Sequence, residues 1–217
     1  MYLKSINKNL DPLSIADLKR KYSELKFKIQ LRLDDFLKIK QSDYFYELVY
    51  CLLTPQSSAR NADKAVKLLQ SNKFHKQAIN PQPILSHKKS YIRFHNNKSK
   101  YLLEVKNQFP LIEQQLQNGR SSIELRDWLV KSVKGFGYKE ASHFLRNIGH
   151  RNLAILDRHI LKNLVRVGVL NELPKSLSKN NYLEIEKIFK IFSKKINIPL
   201  DELDLLFWSM ETGEILK

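Results

Sequence analysis

Apolar residues along this chain recur at three- and four-residue spacing while period-two alternation is scarce, so most segments are predicted to be helices packed by one face. Leu125, Trp128, Leu129 and Val133 form one such stripe, and Ala141, Phe144, Leu145 and Ile148 form another. Runs rich in Val, Ile and Thr are nearly absent. The expected fold class is therefore all-α, with room for a little β-structure within residues 1–40. Turn chemistry at residues 80–83, 118–119, 135–137 and 174–181 separates the helical stretches. No repeat of solenoid period and no low-complexity tract interrupts them.

The most informative stretch runs from Ser121 to Gly149 and holds two helices joined by a tight turn. Ser121 and Glu124 have capping-box spacing, which starts the first helix. Gly135 and Gly137 supply the backbone freedom for a sharp reversal, and the second helix begins near Tyr138. A helix start flanked by glycines attracts phosphate and lets a nucleic-acid backbone approach closely. The pattern is a helix-hairpin-helix, with Lys134 and Lys139 on either side of the turn and Asp157 downstream.

Composition adds a partner. The chain has 217 residues, 42% of them apolar, with 38 Lys and Arg against 22 Asp and Glu, a formal net charge of +16 that favours a polyanion such as nucleic acid. Abundant lysine on a solvated surface is the plainer explanation of the same number. The single cysteine, Cys51, excludes an intramolecular disulfide and a four-cysteine metal cluster, and it fits a reducing compartment. His143, His150 and His159 lack companion cysteines at metal-ligand spacing, so neither a metal nor another cofactor is expected. No stretch approaches the length of a membrane span and no signal-peptide core precedes Asp11, so an intracellular, cytoplasmic protein is expected.

Residues 86–100 are polar and basic, with Lys88, Lys89, Arg93, Lys98 and Lys100 around Tyr91 and Phe94. They read equally as a solvated connection and as a phosphate-contacting loop with an aromatic ring to stack on a base. Lys139 and Asp157 also carry two readings. A lysine amine attacks the sugar C1′ of a damaged nucleotide only when neutral, and the positive end of a helix helps it shed its proton. A nearby carboxylate can then relay that proton and stabilise positive charge developing on the sugar. Alternatively, Lys139 is a surface lysine and Asp157 the N-cap of a helix over 158–167.

The segments Lys134-Gly-Phe-Gly-Tyr-Lys-Glu-Ala141 and Leu156-Asp-Arg-His-Ile160 resemble the helix-hairpin-helix DNA glycosylases, and within them the second, archaeal and bacterial family of 8-oxoguanine DNA glycosylase/AP lyases. The likeness runs from about Tyr44 to Lys217. It implies that Lys139 is the nucleophile and Asp157 the activating carboxylate, with the imine formed on the sugar permitting strand cleavage by β-elimination. It also implies that Gln56, in Leu52-Leu-Thr-Pro-Gln-Ser-Ser-Ala59, fills the space left by an extruded base. Phe94, with His95 as rival, is the aromatic offered to the duplex. Lys134, Gly135, Gly137, Arg158 and His159 are implied DNA contacts. Trp208 is implied in the base pocket, although Leu205-Leu-Phe-Trp208 also reads as core, and the terminal Lys217 is implied to tell 8-oxoguanine from guanine.

The resemblance further implies two helical lobes with DNA in the cleft between them. Residues 44–152 would hold the hairpin, and 1–43 with 153–217 would form the second lobe. The expected partner is double-stranded DNA containing 8-oxoguanine, bound by a monomer. Two other functions share parts of this pattern. A pyrimidine-lesion enzyme of the endonuclease III type shares the Lys and Asp but usually carries a four-cysteine cluster. A non-catalytic helix-hairpin-helix module would need neither residue.

Overall fold

The computed structural model describes residues 10–215, and among these there are ten α-helices and no strand. Within residues 10–40, the described part of the range where a little β-structure was allowed, there is no strand. Beyond residue 14 the chain is helical, as α1, Ile15–Leu37. Its period was readable: Ile29, Leu33 and Phe36 repeat every three to four residues and are buried, and Ser14 caps the start by accepting the Asp17 N–H.

The chain divides into two compact units. One is residues 39–148, and the other consists of the described residues before and after it. The first unit contains α2 (Tyr44–Leu53), α3 (Ala59–Ser71), α4 (Gln82–Ser86), α5 (His95–Gln117), α6 (Ser122–Ser132) and α7 (Tyr138–Asn147). Its centre is α2, eight of whose ten residues are buried, as an almost uninterrupted apolar run requires. Against it pack α3, α5 and α7. The α5 stripe of Leu102, Val105, Phe109 and Ile112 and the α7 stripe of Ala141, Phe144 and Leu145 face this core.

The second unit contains α1, α8 (Arg158–Arg166), α9 (Lys179–Ile196) and α10 (Leu200–Thr212). Here α10 is the buried element, with Leu200 to Phe207 enclosed. Its carboxylates are used structurally: Glu202 Oε2 accepts from Tyr22 on α1 at 2.6 Å, and Asp201 and Asp204 accept backbone N–H groups of Asn152 and Ile155. These bonds fix the extended chain leading into Asp157, because buried carboxylates are retained only where donors satisfy them. Among the described residues, no helix is long and apolar enough to cross a membrane.

Candidate active site

The α6–α7 hairpin is built as its residues dictate. Ser121 Oγ accepts the Glu124 N–H at 3.3 Å, and Glu124 Oε2 accepts the Ser121 N–H at 2.8 Å, completing the capping box. At the other end Val133 N–H closes on Leu129 O, and Phe136 N–H bonds back to Val133 O at 3.1 Å. The reversal turns on Gly135, whose φ is +88°. A Cβ there would stand 2.7 Å from the Tyr101 ring and 3.2 Å from Leu52, so glycine is required both by conformation and by the close approach of α5 and α2. Phe136 points inward and is buried beside Phe144.

Gly137 begins α7 without a capping side chain of its own. Glu140 reaches back instead, and its Oε2 accepts the Gly137 N–H at 3.0 Å. The other oxygen of the same carboxylate lies 3.0 Å from Lys139 Nζ, whose side chain is 25% exposed. One carboxylate therefore closes the hairpin and holds the lysine ammonium. The sequence pattern had suggested a lysine influenced chiefly by its helix end, and the structure adds this anion as its direct neighbour. Before the amine can attack a carbon, the proton shared with Glu140 has to leave.

Lys134, on the near side of the turn, is exposed, pairs with Glu104 at 3.1 Å and lies 5.7 Å over the Tyr101 ring. Such an exposed pair is cheaply exchanged for another anion. Gln56 and Phe94 are both exposed and belong to the same unit as the hairpin. Both have left-handed backbones, with φ +55° and +59°.

Lys98 is the residue whose placement sequence reasoning missed. Residues 86–100 read as either solvated or phosphate-contacting, yet Lys98 is 6% exposed. Its Nζ donates to Leu53 O at 2.8 Å, Pro55 O at 2.6 Å and Ser57 Oγ at 3.3 Å. Burial, reinforced by the positive charge of Lys139 and opposed by Glu140, pushes the Lys98 ammonium down to about 8. A signal was present: Lys98 stands four residues before Leu102 and so extends the buried stripe of α5 by one turn.

The second unit carries the remaining site residues. Asp157 is the N-cap of α8, with Oδ1 accepting the N–H groups of His159 at 2.8 Å and Ile160 at 2.9 Å. The capping reading is thus realised, and because both bonds use Oδ1, the cap does not call on Oδ2. Arg158 is exposed, its Nε 3.4 Å from His159 Nε2. The His159 ring meets Trp208 edge to face at 6.4 Å. Trp208 is half-buried, unlike the enclosed Leu205, Leu206 and Phe207 before it, so it ends the core run with part of its ring uncovered. Lys217 lies outside the described residues. Cys51 is buried within α2, and among the described residues no group of three or more His, Cys, Asp or Glu could hold a metal ion.

Comparison with known proteins identifies the family. A family model described as 8-oxoguanine DNA glycosylase matches residues 29–198. An 8-oxoguanine DNA glycosylase/AP lyase of Fusobacterium nucleatum is 41% identical over 93% of this chain and 96% of its own length. One from Korarchaeum cryptofilum is 38% identical over 96% of this chain and 99% of its own. The crystal structure of the Methanocaldococcus jannaschii 8-oxoguanine glycosylase/lyase in complex with a 15mer DNA containing 8-oxoguanine superimposes with a TM-score of 0.84. It has 32% identity, covering 94% of this chain and 99% of that one. With a helix-hairpin-helix carrying Lys139 and a helix start carrying Asp157, this chain belongs to the 8-oxoguanine DNA glycosylase family.

Proposed function

We propose that this chain excises 8-oxoguanine from double-stranded DNA and cleaves the strand at the resulting site, acting as a monomer inside the cell. The observation that carries the reading is Lys139 itself: a partly buried amine in the first turn of α7, held by Glu140 beside a glycine hairpin, in a chain so similar to named glycosylase/lyases.

In this reading the neutral Lys139 amine attacks C1′, the C1′–N9 bond breaks, and the base leaves with the bonding electrons and gains a proton. Asp157 accepts the lysine proton and offsets positive charge on the sugar. Opening of the sugar gives an imine between Nζ and C1′, which acidifies the C2′ proton. Its loss expels the 3′ phosphate, and water then hydrolyses the imine to free Lys139. The target must leave the stack first, at a cost of a few kcal/mol recovered by contacts in the protein. Gln56 filling the gap, Phe94 against the duplex, and Trp208 against the base suit that cost. Lys134, Gly135, Gly137, Arg158 and His159 would hold the backbone, and Lys217 would distinguish the oxidised base.

The test is excision by the purified protein on a panel of duplexes bearing oxidised purines, oxidised pyrimidines or no lesion, repeated with Lys217 deleted. Cleavage concentrated on 8-oxoguanine, with discrimination against guanine weakened by the deletion, is expected. Preference for oxidised pyrimidines would contradict the substrate, and an unchanged ratio after deletion would contradict the role of Lys217.

A further inference from the structure

Gln56 and Phe94 share an unusual feature. Each is a non-glycine residue in the left-handed region, at φ +55° and +59°, and each is exposed at the tip of its segment. A backbone of this kind persists at such residues only where neighbouring contacts hold it. The contacts here converge on Lys98. From the first turn of α5 its Nζ donates to Leu53 O and Pro55 O on one side of Gln56 and to Ser57 Oγ on the other. Ser57 Oγ also accepts the N–H of Arg93, the residue preceding Phe94, at 3.0 Å. Nearby, Asn61 Nδ2 donates to Tyr91 O at 3.0 Å, and the Arg93 guanidinium lies 4.9 Å over the Phe94 ring.

The residue type follows from what has to be satisfied. Leu53 ends α2, so its carbonyl is among those a helix leaves without an internal partner, and Pro55 lacks an N–H to build a regular turn. An ammonium has three donors, and three acceptors are arranged around this one. It is 6% exposed, and this burial pushes it down to about 8. The Lys98 ammonium thus braces the Gln56 loop from within, and the bonds from Arg93 N–H and Asn61 Nδ2 carry that brace to the segment of Phe94.

We propose that Lys98 is a positioning residue that locks the Gln56 and Phe94 tips into one rigid unit, so that they enter the duplex together when the damaged base leaves it. This rests on the function proposed above and adds a role to it. Base excision, which needs the base extruded, then depends on Lys98 far more than the imine chemistry of Lys139 at an abasic site that is already open.

Two assays separate these steps: single-turnover excision on an 8-oxoguanine duplex, and borohydride trapping on a duplex with a preformed abasic site. For Lys98→Met, which keeps the apolar stem, excision is expected to fall about 100-fold, the scale of a small misplacement of a reacting assembly. Trapping should fall far less, within about 10-fold of wild type, because only the lost Coulombic influence of the Lys98 charge on Lys139 reaches the chemistry. Lys98→Arg should recover part of the excision. Ser57→Ala, which removes one shared acceptor and serves if Lys98→Met does not fold, should lower excision about 10-fold with trapping spared. Unchanged excision beside an active wild type would overturn the positioning role, as would trapping that falls as far as excision. A wild-type protein that traps abasic DNA but does not excise 8-oxoguanine would overturn the proposed function instead.

Discussion

The helices α7 and α8 begin in opposite ways. Asp157 starts α8 with a carboxylate that takes up two backbone N–H groups of the first turn through one oxygen. Gly137 starts α7 with no side chain, and its own N–H is met from inside the helix by Glu140. A self-capped start is stable without help from outside. A glycine start keeps the approach to the backbone open, which is what a phosphate needs. Under the proposed function the two starts divide the labour: α7 would meet DNA and presents an amine, while α8 uses one oxygen of its carboxylate on structure and leaves the other outside the cap.

The sharpest way to break this division is Asp157→Asn. Asparagine caps almost as well as aspartate, so the melting temperature should hardly move. Loss of the anion should lower excision by about 10²–10⁴-fold, the usual contribution of a positioned acid or base. A large drop in melting temperature with excision retained would make Asp157 a cap and nothing more.

A smaller effect is expected from Gly135→Ala. The added Cβ meets Tyr101 and Leu52 at a backbone angle that disfavours it, and denaturant unfolding should show a loss of about 1–3 kcal/mol. Weaker binding to undamaged duplex should accompany it. Unaltered stability and binding would mean that the hairpin tolerates a side chain where the geometry says it cannot.

How far the sequence spoke for itself differs between these regions. The Ser121 and Glu124 cap, the reversal at Gly135 and the buried stripe through Ala141, Phe144 and Leu145 follow local rules, and each was readable from spacing. Glu140 was visible as a residue of the motif, but its hydrogen bond to Gly137 and ion pair with Lys139 were not, because one carboxylate serving two partners has no spacing of its own. Lys98 hid in the basic segment 86–100: charge suggests solvent, whereas its carbonyl partners come from α2 and the following turn, more than forty residues earlier. Within residues 1–40 few strong turn signals show where an element begins or ends, although the α1 stripe of Ile29, Leu33 and Phe36 is there to be counted. Asp157 shows the converse, since its capping role was readable from sequence, whereas the chemical role proposed for it came only with family likeness.

The central claim is that Lys139 forms the covalent bond to DNA. Borohydride added to the protein with an 8-oxoguanine duplex should trap a stable adduct with wild type and none with Lys139→Gln, while both proteins bind the duplex. An adduct of undiminished yield in Lys139→Gln would contradict the account.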